Sequence, residues 1–264
     1  MASLALFGAC GGADARDPAA PTAPVEAATA VRSYPHDPRA FTQGLVFRNG
    51  ELLESTGRYG ESSLRRVRLE TGEVLQRVDV PKEFFAEGLA VLGNRAYQLT
   101  WQNQTGFIYD VDTFKQVGTF PYEGEGWGLT TDGTSLILSD GTGVLRFLDP
   151  NTFAVSRTLE VRDGDRVVDQ LNELEWVRGE IWANVWHNDQ IARIDPRTGR
   201  VIGWLDVGQL LPEATAADSE AVPNGIAFDP ATGRLFVTGK LWPRLFEISA
   251  PELKAAGAEN VSPP

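Results

Sequence analysis

Five short segments, FTQGLVF, FAEGLAV, EGWGLTT, LNELEWV and PNGIAFD, recur along this 264-residue chain. Measured at Gln43, Glu87, Trp127, Asn172 and Asn224, the intervals between them are 44, 40, 45 and 52 residues. A turn and a second run follow each opening (ELLEST, RAYQLT, SLILSD, EIWANV, RLFVTG), and then a third (LRRVRLETG, GFIYDVDT, GVLRFLDPNT, IARIDPRTG, RLFEISA). The first four units add a fourth run: VLQRVDV, KQVGTFP, VSRTLEV and VIGWLDV. Apolar and polar residues alternate with period two inside the runs, and Gly, Asn, Asp and Thr-Gly turns separate them. This is strand and hairpin chemistry, with no long stretch of helical periodicity. Four short strands in about 40–45 residues make a β-propeller blade, which cannot bury both its faces alone and stacks around an axis. The expected fold is all-β, a five-bladed β-propeller. The fifth unit lacks a fourth run, while ATAVRSY stands unpaired before the first. Residues 30–34 are therefore expected to supply the outer strand of the last blade and close the ring.

Composition narrows the partners. A net charge of −12 and a pI near 4.7 argue against nucleic acid, whose phosphates need a basic face. No apolar run approaches the roughly 20 residues that span a bilayer. One cysteine leaves no internal disulfide and no cysteine cluster, and His36 and His187 form no His-x-x-x-His pair, so neither metal nor cofactor is expected. Asp163 and Asp165 in VRDGDRVVD lack the spacing of a full calcium cage and read as a solvated loop.

The ends read differently from the middle. Residues 1–29 combine a signal-like, lipobox-like segment with a disordered Ala/Pro tether; residues 30–250 are the propeller and 251–264 a tail. Gly8-Ala9-Cys10 is similar to a bacterial lipoprotein cleavage site, although no Lys or Arg precedes the short apolar run. Cys10 is thus a lipidation candidate, and the expected location is extracytoplasmic, periplasmic or lipid-anchored to a bacterial membrane. The plainer reading is a free cysteine in a frayed terminus. Residues 11–29 carry too few large side chains to offset the entropy of ordering them. In the tail, PELKAAG could make one helical turn.

Positions that serve only the architecture should carry similar residues in every unit. Gly44, Gly88, Gly128 and Gly225 do so, and suit innermost strands crowded at an axis. The residue before each does not repeat: Gln43, Glu87, Trp127, Asn172 and Asn224 would converge on one mouth. Fourteen positions further on stand Gly57, Trp101, Gly141 and Trp186, and Lys240 takes this place in the last unit. Taken singly, a Trp reads as core, Glu87 as a solvated strand end and Lys240 as a snorkelling surface group. Lys240, however, is one of four lysines against twenty arginines. Coincidence at equivalent positions points instead to a small-ligand pocket, with Trp101 and Asn224 in its wall. Neither a phosphate cradle nor a Ser-His-Asp arrangement stands out.

The segments SYPHDPRAFTQGLVF, GRYGESSLR, FAEGLA, LTWQN, EGWGLTTDG, LNELEW, IWANVW, IARIDP, NGIAFD and LFVTGK, in this order over residues 33–248, resemble the glutaminyl-peptide cyclotransferases of plants and bacteria. That resemblance implies a five-bladed propeller unrelated to the zinc-dependent animal enzymes. It implies cyclisation of an N-terminal glutaminyl residue of peptides or proteins to 5-oxoproline, with release of ammonia. It places the catalytic glutamate on Glu87 and the substrate pocket on Phe41, Gln43, Trp127, Asn172, Trp186 and Lys240, with Glu173 helping to anchor the substrate amine. Asn172, Gln43 and Lys240 are alternative stabilisers of the oxyanion, and the chain is expected to act as a monomer. The rival class is a non-catalytic extracytoplasmic propeller that binds a peptide or protein. A metal-dependent lactonase or lyase fits poorly, since Glu87 is the one acid in the opening ring.

Overall fold

In a computed structural model describing residues 23–211 and 218–250, the repeats become five antiparallel sheets around one axis. The first blade runs from axis to rim as Thr42–Arg48, Glu51–Thr56, Ser63–Arg68 and Val74–Asp79. The second, third and fourth begin at Ala86–Leu92, Leu129–Thr131 and Leu171–Val177 and repeat that order. In the fifth, Pro223–Asp229, Arg234–Gly239 and Arg244–Ser249 are followed at the rim by Thr29–Pro35, paired antiparallel with Arg244–Ser249. The ring therefore closes through the N-terminal strand, as the missing fourth run predicts. Local chemistry sets the hairpins: Asn49 and Gly50 both have positive φ (53° and 85°), the twist-matched form of a two-residue turn.

Apolar residues from facing blades form a core in each seam. Leu53 and Leu64 of the first blade pack on Leu89, Phe107 and Tyr109 of the second, and Leu45 and Leu52 pack across the closing seam on Phe236 and Leu245. A buried ion pair also locks that seam. His36 Nε2 lies 2.8 Å from Glu54 Oε1 and its Nδ1 2.6 Å from the Trp242 carbonyl. With acceptors at both nitrogens the ring donates twice, as imidazolium. Burial works against that charge, but Glu54 and the carbonyl outweigh it and hold the His36 pKa above its ordinary value.

At the axis the repeated glycines have the expected reason. A methyl on Gly88 would sit inside the backbone of Gly128 and Leu129, and one on Gly128 inside that of Asn172.

Two expectations are corrected. The end of the supposed tether is ordered: Val25–Ala27 pairs in parallel with Val201–Asp206 as a fifth strand on the fourth blade. The open edge of that blade supplies what side chains do not, since Trp204 N donates to Pro24 O and Ala28 N to Asp206 O, both at 2.8 Å. The loop at Asp163 is likewise not simply solvated. Arg162–Asp163 and Arg166–Val167 form a small hairpin, and the buried Asp163 carboxylate accepts from Ala23 N at 2.9 Å and Trp204 Nε1 at 3.1 Å. Cys10, the rest of the leader, and PELKAAG lie outside the described residues.

Candidate active site

The repeat-opening residues meet at one end of the axis because the innermost strands are kinked there. Pairing register slips between Thr42 and Gly44, Ala86 and Leu89, Leu171 and Leu174, and Pro223 and Ile226. Bulges of this kind re-aim a side chain at a strand end, and here they lie at Gln43, Glu87, Asn172 and Asn224. In the third blade the inner strand starts at Leu129, so Trp127 stands just before it. The resulting cavity, about 270 Å³, is lined by Phe41, Gln43, Glu87, Trp101, Trp127, Asn172, Trp186 and Lys240, with Phe85 and Glu220 completing the wall.

The second ring alternates large and absent side chains for a steric reason. A methyl on Gly141, whose φ is +80°, would lie 2.8 Å from the Trp127 indole, and one on Gly57 would enter the Phe85 ring. The aromatic wall that these gaps admit falls in two groups. Phe41 meets Phe85 edge-on at 6.1 Å, Phe85 meets Trp101 at 5.9 Å, and Trp127 stands perpendicular to Trp186 at 5.7 Å. Lys240 Nζ rests 4.8 Å from the Phe41 centroid.

The polar groups are desolvated: Gln43, Glu87, Asn172 and Lys240 are each at most 5% exposed. Gln43 Nε2 donates to Glu87 Oε1 at 2.9 Å, while Gln43 Oε1 accepts from Asn224 Nδ2 at 2.9 Å. Asn224 thus lies behind Gln43 and orients it, and is not part of the wall. Burial pushes the Glu87 carboxyl well above the usual glutamate range; Lys240 opposes this and Glu125 adds to it. Burial also pulls the Lys240 ammonium down, against the attraction of Glu87 and Glu220. Asn172 Oδ1 is buried without a hydrogen-bond partner.

Glu173 does not reach the cavity. It occupies the place of the axial glycines, and its oxygens accept from Leu45 N at 3.2 Å and Ile226 N at 2.9 Å, joining the first and fifth blades to the fourth. Its expected contact with the substrate amine is replaced by this structural one. At the other end of the axis a depression of about 420 Å³ holds Glu175, which burial pushes up to about 8. Its oxygens are already taken by Phe228 N and Thr130 Oγ1, so the site is the smaller cavity.

A family model described as glutamine cyclotransferase matches residues 2–250. The chain belongs to this family. A curated glutaminyl-peptide cyclotransferase of Arabidopsis thaliana is 46% identical over 236 residues, spanning 87% of this chain and 72% of the relative. The crystal structure of Myxococcus xanthus glutaminyl cyclase superposes with a TM-score of 0.80 at 42% identity, covering 86% of this chain and 97% of that one. Among the described residues of this cyclotransferase-family chain, no helix is long and apolar enough to cross a membrane. Nor do three or more His, Cys, Asp or Glu of those residues cluster as metal ligands would.

Sequence reasoning missed three residues of this family member's site: Phe85, Glu220 and Glu125, which sits behind Trp101 and Trp127. A signal for two of them existed. Two positions before each opening residue stand Phe41, Phe85, Glu125, Gln170 and Val222, a further ring that does not repeat.

Proposed function

We propose that this pocket closes an N-terminal glutaminyl residue of a peptide into 5-oxoproline and releases ammonia, with Glu87 carrying the proton. The supporting observation is the convergence of one buried carboxyl, one ammonium and the Asn172 side chain on one aromatic slot. The nucleophile is the substrate's own α-amine, so the site needs geometry more than reactivity. Holding the side chain curled toward its amine converts binding into a near-attack conformer. The amine nitrogen attacks the γ-carboxamide carbon, and the carbonyl electron pair moves onto oxygen. Glu87 takes the amine proton and returns it to the amide nitrogen, the C–N bond breaks, and ammonia leaves. A carboxyl whose hold on its proton is strengthened by burial suits a group that must both accept and give.

Gln43 is held at both ends and serves to orient Glu87; of the two remaining donors, Lys240 Nζ and Asn172 Nδ2, the charged one is assigned to the developing oxyanion. Asn172 completes the polar lining against which the substrate rests. No metal enters this scheme.

A coupled ammonia assay on a Gln-Xaa dipeptide tests it. Release is expected, resistant to dialysis against a strong chelator and absent with the N-acetylated substrate. Activity should climb toward the amine pKa of roughly 7.7–8.0, because only the neutral amine attacks. Tight binding of Gln-Xaa without ammonia would favour the non-catalytic peptide-binding reading, and loss on chelation with recovery on zinc would overturn the metal-free scheme. Export, anchoring through a lipid on Cys10 and a monomeric state are proposed from the sequence alone. Labelled palmitate that is incorporated equally into the Cys10→Ala chain would refute the anchor.

A further inference from the structure

Glu125 stands in the third unit where the first two carry Phe41 and Phe85, and it does something neither ring can. Its Oε2 accepts from Trp101 Nε1 at 2.7 Å and from Trp127 Nε1 at 2.9 Å, while its Oε1 accepts from Gln102 Nε2 at 3.0 Å. Trp101 follows the second strand of the second blade and Trp127 opens the third, so a single oxygen ties two blades across the cavity wall.

The backbone beneath it is fixed as well. Gly126 N donates to Trp101 O at 2.8 Å, and Arg146, paired with Asp140 at 3.2 Å, donates to Glu125 O at 3.3 Å. The restraint extends along the wall, because Trp101 packs on Phe85 and Trp127 on Trp186.

The same carboxylate is charged. Its partial burial works against ionisation, but the two indoles and Gln102 more than offset this and hold it below the usual glutamate range. Its charge is felt at Glu87, where Lys240 acts in the opposite sense and Gln43 contributes a neutral donor.

We propose that Glu125 is a positioning residue of this site, a shared acceptor that fixes the slot between Trp101 and Trp127 and sets a negative charge toward Glu87. It touches no reacting atom. Its role presupposes the cyclisation chemistry above, and two substitutions separate its parts. Glu125→Ala removes both acceptor and charge. Glu125→Gln keeps an oxygen for the two indoles, its amide N–H turning to a rotated Gln102, and removes only the charge.

The Ala variant should lose about 10–100-fold in kcat/KM on a Gln-Xaa dipeptide, mostly in kcat, since a displacement near 1 Å costs about 10²-fold. The Gln variant should recover to within about fivefold of wild type. In ¹³C spectra the Glu87 carboxyl, assigned by its absence in Glu87→Gln, should titrate at lower pH in Glu125→Gln than in wild type. Two indole N–H resonances should move upfield in Glu125→Ala and hold their place in Glu125→Gln. Ala activity within twofold of wild type, or Gln as impaired as Ala, would overturn the clamp. An unmoved Glu87 midpoint would overturn the charge. The indole and carboxyl spectra can be read whether or not the wild type turns over, so a chain that binds without releasing ammonia fails the cyclisation reading alone.

Discussion

Glu87→Gln is the substitution on which the chemistry turns, because the structure lets it change one thing. The Gln43 amide that donates to Glu87 Oε1 at 2.9 Å finds an equivalent oxygen on the new side chain, and the volume at this buried position is conserved. What is lost is the capacity to take and return a proton. General acid–base catalysis contributes about 10²–10⁴-fold, or roughly 2.7–5.4 kcal/mol of barrier at 1.36 kcal/mol per decade. The expected kcat falls by that factor in a coupled ammonia assay, with KM changed little.

Stability should move the other way. The folded carboxyl, raised by burial, holds its proton more tightly than the unfolded one near 4.3. The folded state therefore carries the extra proton between the two values, and wild-type stability declines as pH rises through that window. Glutamine has no such linkage. Melting temperatures of variant and wild type should coincide near pH 4.5, and the variant should lead at pH 8. Retention of more than about a tenth of wild-type kcat would refute Glu87 as the proton carrier. A variant that melts below wild type at pH 8 would refute the buried, proton-retaining environment.

Gly141→Ala places a methyl 2.8 Å from the Trp127 indole at a φ of +80°, so a kcat/KM loss of at least about tenfold and a lower melting temperature are expected; unchanged kinetics on a Gln-Xaa dipeptide would show that Trp127 does not shape the slot. Truncation through residue 28 removes the hydrogen bonds of Pro24 and Ala28 to the fourth blade and of Ala23 to Asp163 in the adjoining hairpin, each net about 0.5–1.5 kcal/mol before the entropy regained. Calorimetry should show a melting temperature lower by several degrees, at about 2–4 °C per kcal/mol; an equal value would return the segment to the status of a tether. The closing-seam imidazolium, with its raised pKa, stabilises fully below the unfolded value of about 6.5 and less as pH rises through the folded one; His36→Gln should flatten the melting profile above pH 6.5, and an unchanged slope there would count against the charged pair.

The ring closure was legible because the sequence carried a deficit and a surplus of the same size: a last unit short of one strand and a spare strand at the start. The fifth strand on the fourth blade was not. Val25–Ala27 sits in an Ala/Pro-rich run whose composition promises no burial, and what holds it is backbone pairing to the edge of Val201–Asp206. An edge strand accepts almost any short extended segment, so nothing in the guest's side chains announces the contact. The buried Asp163 escaped notice for a related reason: its partners, Ala23 N and Trp204 Nε1, are 140 and 41 residues away.

Departure from the repeat identified the pocket, yet the same logic fails one residue later. Asn172 and Glu173 both break the pattern of their ring, and they point to different places. The bulge at Asn172 brings its side chain into the cavity lining. Glu173 falls where Gly44, Gly88 and Gly128 let the inner strands touch, and a side chain at that place can reach only the backbone across the axis. Glu125 is the converse case. Between glycines in YEGEGW it reads as a loop acid, and only its two indole donors, 24 and 2 residues away, give it a place in the wall. A residue that breaks a repeat marks the site when its local backbone opens toward the cavity, and marks the scaffold when the ring has already closed around it. Sequence supplies the break, and the bulge decides which of the two it is.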